Sequence, residues 1–262
     1  MCLILFAYKH HPKYPLIVAA NRDEFYSRPT APAQYWSDYP HILAGRDLKE
    51  LGTWMGITVH GRFAALTNYR DPRQHTADAL SRGHLVANYL KNQQSPQEYL
   101  GKIAEQADQY NGFNLLVGDL QSLWYYGNKQ GQVHPVIPGV HGLCNHLLNS
   151  PWPKLEKGRQ QLAQCLTQED VFEDELWQIL TNGEQAADDL LPNTGVGLEL
   201  ERTLSSIFIE SPEYGTRSST ILLIRQDIRQ DGWVTFVERK YHSSKSSWQE
   251  SSYEFQLKEH LL

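Results

Sequence analysis

Cys2 stands next to the start of the chain, at the head of the apolar run Leu3-Ile4-Leu5-Phe6, and it offers the most chemistry of any residue in the sequence. Initiator methionine is usually removed ahead of a small residue. Removal here would leave Cys2 with both a thiol and a free α-amine. The amine titrates near ~7.7–8.0 and the thiol near ~8.5, so the amine can take the thiol proton at neutral pH. A nucleophile and its base on one residue is the activation that N-terminal nucleophile enzymes use. The plainer reading is a small buried residue opening a strand, where free cysteine is common.

Three further runs end an apolar segment on polar groups. Ala19-Ala20 leads into Asn21-Arg22-Asp23-Glu24. Strand alternation puts Asn21 and Asp23 on one face and Arg22 on the other. Asp23 is placed to orient the Cys2 amine, and Arg22 to favour its thiolate. A solvated strand end is the competing reading. Leu66-Thr67 leads into Asn68, either a donor to a developing oxyanion or the first residue of a turn before Asp71-Pro72. In His141-Gly142-Leu143-Cys144-Asn145-His146, Cys and His lack the two spaced ligand pairs of a structural zinc site, so no metal is expected.

Arg217 lies in Tyr214-Gly215-Thr216-Arg217-Ser218-Ser219, ahead of the apolar Ile221-Leu222-Leu223-Ile224. Held there by glycine and small hydroxyls, it can grip a carboxylate or phosphate at two points, or it is a surface arginine. Gly195-Val196-Gly197 lacks the strand–helix setting of a dinucleotide loop, and no phosphate-binding glycine signature occurs, so no cofactor is expected.

The elements that must position these residues begin with strands at Leu3–Tyr8 and Leu16–Asn21, then a hairpin of Trp54–Val59 and Arg62–Thr67 around His60-Gly61. Ser27–Asp47, rich in Pro, Tyr and Trp, reads as a long irregular loop. Helices are expected at Arg82–Asn92 and, behind the Ser95-Pro96 start signal, at Gln97–Asp108. Strands follow at Phe113–Asp119, Leu123–Gly127, Val133–Ile137 and Gly142–Asn145, then helices at Lys154–Leu166 and Gln168–Thr181. After a polar loop over Asn182–Gly197, strands return at Ser206–Ile209, Ser219–Arg225, Trp233–Arg239 and Ser252–Leu257, with a polar turn at Ser243–Ser247. Strands surrounding two helical pairs suit antiparallel sheets carrying helices, an α+β layered fold. No composition break divides the chain, and one domain over residues 1–262 is expected.

The composition narrows the classes. Apolar residues at 40% and charged residues at 21% are those of a globular protein with a real core. A net charge of -6 without a basic stripe argues against nucleic acid. Three scattered cysteines form no disulfide framework, which points to a reducing compartment. No apolar run approaches the ~20 residues of a membrane span, and the opening run lacks the basic lead of a signal peptide. A cytoplasmic location is expected, or the soluble phase of an organelle.

Asn21-Arg22-Asp23-Glu24 is the signature from which the NRDE proteins, the transport-and-Golgi-organisation family, take their name. The chain resembles that family in the same order at Met1-Cys2, Ala19–Pro29, Gly52-Thr53-Trp54, Ala64–Tyr69, Tyr110–Leu115, Ser150-Pro151-Trp152 and Tyr214–Arg217. More distantly, that family is similar to the Cys-type N-terminal nucleophile hydrolases. The resemblance implies a four-layered αββα sandwich and, carried over by position, a site of Cys2, Asp23, Asn68, Asn145 and Arg217, with Asn21 and Arg22 in support. Those hydrolases commonly have Arg-Asn-x-Asp where this chain has Ala20-Asn21-Arg22-Asp23, so Arg22, on the face of Ala20, would have to reach back. Two functions follow from the resemblance. One is cleavage or transfer of an acyl group at a linear amide. The other is a binding or transfer protein for haem or an acyl-CoA or lipid-like ligand, with His10-His11, His84 and Tyr35-Trp36 as conceivable contacts. A purely structural role leaves the polar strand ends without a reason.

Overall fold

The computed structural model describes residues 2–74, 76–226, 232–242 and 244–258. Met1, whose removal the expected chemistry of Cys2 requires, and Ser243 of the expected turn lie outside the described residues.

The chain runs β1 (Cys2–Tyr8), β2 (Leu16–Phe25), β3 (Thr30–Tyr35), β4 (Ile42–Asp47), β5 (Met55–Thr58), β6 (Phe63–Asn68), α1 (Gly83–Lys91) and α2 (Pro96–Glu105). It continues with β7 (Phe113–Gly118), β8 (Leu123–Gly127), β9 (Val133–Pro135), β10 (Gly139–Leu143), α3 (Pro153–Cys165) and α4 (Glu173–Leu180). The last elements are α5 (Leu198–Leu204), β11 (Tyr214–Gln226), β12 (Gly232–Tyr241) and β13 (Trp248–Gln256). Two antiparallel sheets result, one in the order β10-β1-β2-β11-β12-β13 and the other running β3 to β9 in sequence order.

Three apolar layers hold four structural layers together. Ile4, Phe6 and Val18 of the first sheet meet Leu43, Ile57 and Leu116 of the second between the sheets. Leu3, Leu5, Ile17 and Ala19 face the other way, onto Leu155, Leu162 and Trp177 of α3 and α4. Ala64, Leu66 and Leu115 pack under Val86, Leu90 and Leu100 of α1 and α2. β1 is buried on both faces, which is why it reads as an unbroken apolar run instead of an alternating one. The arrangement is the expected α+β, αββα sandwich.

The start of α2 follows its sequence signal. Ser95 Oγ accepts from the Glu98 backbone N–H while the Glu98 carboxylate accepts from the Ser95 N–H at 3.1 Å, with Pro96 in the first turn. Elsewhere the structure corrects the reading. Ser27–Asp47 is no irregular loop, for it contains β3 and β4. Pro32 and a shift of register between Ala31 and Gln34 break the alternation by which a strand is recognised. Ser206–Ile209 is not a strand but a buried irregular segment before β11. Its apolar character comes from packing, with Phe208 edge-on to Tyr241 at 4.9 Å. The helix α5 was hidden because seven residues after Gly195-Val196-Gly197 are too few to show a helical period.

Candidate functional site

The row of residues beginning at Cys2 is set by strand register. Cys2 on β1 lies opposite Arg22 on β2, Arg22 opposite Ser218 on β11, and Ser218 opposite Lys240 on β12. Directly opposed residues of antiparallel strands share a face. The face is the one turned toward the second sheet, since Ile4 and Ala20, two positions further in, belong to the core between the sheets. All four residues line a cavity of about 300 Å³. Asn68 at the end of β6, Thr53, Trp54 and the segment Ala79–Gly83 form other parts of its wall.

Cys2 is 7% exposed. Burial pushes its thiol up to about 11, the Asp23 charge adds to that, and the Arg22 guanidinium and an Asp23 backbone N–H act the other way. The thiol is therefore at rest unless a base is supplied beside it.

Asp23 also lines the cavity, although its side chain belongs to the opposite strand face. It is 1% exposed, and its carboxylate accepts from Thr216 Oγ1 at 2.8 Å. Burial raises its carboxyl above the usual range, opposed chiefly by the Lys154 ammonium. Lys154, in the first turn of α3, is itself buried, donates to the Leu204 carbonyl at 2.8 Å and is pushed downward by its desolvation.

Register slips between Thr216 and Ser218, and the extra residue is Arg217. Such a bulge re-aims a side chain. The Arg217 guanidinium lines the cavity and donates to the carbonyls of Phe25 and Arg28 at 2.7 and 3.0 Å.

Asn68 is half-buried and faces the cavity, while its backbone carbonyl accepts from Asn145 Nδ2 at 3.0 Å. Asn145 itself is fully buried behind the wall, and Arg70 donates from its backbone to the Asn145 carbonyl at 2.8 Å. The Arg70 guanidinium in turn pairs with Glu201 at 2.7 Å. Of the five residues expected to act together, Cys2, Asp23, Asn68 and Arg217 share one cavity, and Asn145 is set behind Asn68 as its support.

Asn21 and Arg22 divide in the same way. Asn21 Nδ2 donates to the carbonyls of Leu180 and Ile207 at 2.8 and 2.9 Å, and its Oδ1 accepts from Ser219 at 2.6 Å. It ties β2 to the end of α4 and does not face the cavity. Arg22, also 7% exposed, faces the cavity beside Cys2. Cys144 is fully buried, and burial raises its thiol.

The histidines and aromatics considered as ligand contacts are not gathered. His10 and His11 lie in the β1–β2 connection, at the far end of β1 from Cys2. His84 Nε2 sits 2.6 Å from the Glu50 carbonyl, and the Trp36 indole is buried, donating to the Ala44 carbonyl at 3.1 Å. Among the described residues no group of three or more His, Cys, Asp or Glu is arranged to hold a metal ion, and no helix is long and apolar enough to cross a membrane.

Lys154, Glu238 and Lys240 were missed. Glu238 is buried, accepts from the Ala33 N–H at 2.6 Å and lines the cavity. Alternation along β12 held the signal: Glu238 and Lys240 fall on the same face as Val234 and Phe236, where an apolar residue would be the rule.

The chain matches the family described as Transport and Golgi organisation 2 over residues 1–243. It is 39% identical to the human Transport and Golgi organization protein 2 homolog, with 98% of this chain and 99% of that one covered. To the bovine homolog it is 38% identical over the same shares of the two chains, and to the Drosophila melanogaster protein 28% identical, over 86% and 88%. Among solved structures, a mutant conjugated bile acid hydrolase from Clostridium perfringens superposes with a TM-score of 0.55 at 9% identity, covering 97% of this chain and 92% of that one. That likeness is one of fold, the sandwich of the N-terminal nucleophile hydrolases. The chain belongs to the Transport and Golgi organisation 2 family.

Proposed function

We propose that this chain is an N-terminal-cysteine hydrolase or acyltransferase acting on a linear amide or related acyl substrate. The observation that carries the reading is that Cys2, Asp23 and Asn68 line one cavity. Removal of Met1 would give Cys2 the base that its buried thiol otherwise lacks. The thiol attacks the substrate carbonyl, its proton passing to the α-amine and then to the leaving amine as the C–N bond breaks. Asp23 orients that α-amine, and the Asn68 amide donates to the oxyanion of the tetrahedral intermediate. Asn145 keeps the Asn68 backbone in place, and Arg217 steadies charge at the cavity wall. Water, or an acceptor amine, then cleaves the thioester and restores the thiol. The solved bile acid hydrolase of the same fold is the C2A mutant of an enzyme named as a hydrolase, which agrees in kind with this reading.

The test compares two proteins, one released from a fusion so that Cys2 is its first residue and one that retains Met1. Each is treated with p-nitrophenyl octanoate and weighed intact. An octanoyl adduct on Cys2 in the first protein alone, absent after Cys2→Ala, is the expected result. Adducts confined to Cys144 or Cys165 would overturn the reading. Reversible haem or acyl-CoA binding that survives Cys2→Ala, without any adduct, would favour a carrier on the same scaffold.

A further inference from the structure

We infer that the cavity takes an anionic substrate, with a carboxylate or phosphate group held by Arg22 and flanked by Arg217 and Lys240. The substrate sense of this statement rests on the proposed acyl chemistry, whereas the anion site itself does not.

Arg22 is the anchor because its hydrogen bonding is incomplete. Its Nη1 is buried and has no partner among the described residues, and the nearest carboxylate oxygen, on Glu24, is 4.0 Å from Nη2. A buried donor left open is costly, and a guanidinium is shaped to be completed by two oxygens of one anion. Two other cations of the cavity, Arg28 and Arg46, are already neutralised. Arg28 meets Asp47 at 2.8 Å, and Arg46 meets Asp38 at 2.7 Å. Arg82, Arg217 and Lys240 differ, for they donate to neutral carbonyls, Arg82 to that of Gly112 at 2.9 Å and Lys240 to that of Thr30 at 3.0 Å. All three therefore keep their charge available to a ligand, and Arg217 and Lys240 are the two set on the strands beside Arg22. The acid one rung further in, Glu238, accepts from the Ala33 N–H, and burial raises its carboxyl, with that hydrogen bond, the Ser218 hydroxyl and the Arg22 and Lys240 charges acting the other way.

Register sets the size of the substrate head. Strands lie ~4.8 Å apart, so Arg22 is one spacing from Cys2 and Lys240 is three. An anion on Arg22 stands roughly 5–10 Å from the carbonyl that Cys2 would attack, about four to eight bonds away counted to the anion's oxygens. The matching class is an amide whose amine carries a carboxylate or phosphate close to the nitrogen.

The experiment uses the full chain with Cys2→Ala, so that binding is read without turnover. Calorimetry compares N-octanoylglycine with N-octanoylglycinamide, and N-octanoyl-O-phosphoethanolamine with N-octanoylethanolamine. The anionic member of at least one pair should bind about tenfold or more tightly, as expected of hydrogen bonds to charged groups. Which pair discriminates tells carboxylate from phosphate. Adding Arg22→Gln should abolish the discrimination, and Arg22→Lys, which keeps the charge but loses the two-point grip, should retain only part of it. Equal affinity within both pairs, no binding of any probe, or discrimination untouched by either Arg22 variant would overturn the inference. Absence of a Cys2 adduct in the labelling experiment would overturn the acyl chemistry alone, because these affinities are measured without the thiol.

Discussion

Asn145 donates its side-chain amide to the backbone carbonyl of Asn68 at 3.0 Å, joining the end of β10 in one sheet to the end of β6 in the other. Two asparagines at polar strand ends thus do different work. Asn68→Ala keeps the backbone bond and should change stability by less than about 0.5 kcal/mol, while slowing octanoylation of Cys2 by roughly a hundredfold. Asn145→Ala leaves the half-buried Asn68 carbonyl without this partner and should cost about 1–3 kcal/mol in urea unfolding, with slower labelling as a consequence. Equal stability losses for the two variants would contradict this division.

Asn21 names the motif yet serves the scaffold. It is fully buried and makes three hydrogen bonds, to Leu180, Ile207 and Ser219. Asn21→Ala strands two carbonyls and a hydroxyl, and about 2–4 kcal/mol should be lost on urea unfolding. Labelling of Cys2 in the protein that remains folded should change far less than it does in Asn68→Ala.

Sequence patterning revealed the strand ends because a buried apolar run that stops on Asn, Arg and Asp is unusual. It located Cys2, Asp23, Asn68 and Arg217, which the structure brings to one cavity. It did not separate Asn145 from Asn68. Which amide faces a cavity and which lies behind it depends on how two sheets stack, and alternation within one strand carries no such information. β3 and β4 escaped because Pro32 and a bulge disguise them, whereas Glu238 and Lys240 were legible as charges on an inward face. Lys154 had no comparable signal, since a lysine in a helix's first turn is ordinarily solvated.

The loop before β5 crosses the start of α1 glycine on glycine beside the cavity wall. A Cβ on Gly52 would come within 2.6 Å of the Gly83 carbonyl carbon, next to the 3.2 Å hydrogen bond from the Thr53 N–H to the Gly83 carbonyl. Backbone has to move to admit it. Gly52→Ala should cost about 1–3 kcal/mol and should slow labelling of Cys2, because Thr53 and Gly83 both line the cavity. Gly101→Ala in α2, where nothing lies within 4 Å of the new methyl, should be neutral or stabilising by up to about 1 kcal/mol. Thermal unfolding of the pair checks both signs.

Cys2 makes stability depend on pH in a direction fixed by its burial. Its thiol ionises near 9.0 when exposed and near about 11 in the folded chain that still carries Met1. Between those values the unfolded state has released a proton that the folded state still holds, so rising pH favours unfolding. The contribution is fully present below pH 9 and is lost as pH approaches 11. Two units correspond to about 2–3 kcal/mol. Urea unfolding from pH 8 to pH 11 should therefore cost the parent chain about 2–3 kcal/mol more than it costs Cys2→Ala. The difference between the two proteins removes the parallel effects of Cys144 and Cys165, whose thiols burial also raises. Alkylation of Cys2 by iodoacetamide should rise over the same interval in the chain that retains Met1, and at markedly lower pH in the chain that begins at Cys2. Coincident profiles for the two chains would mean that the α-amine does not activate the thiol.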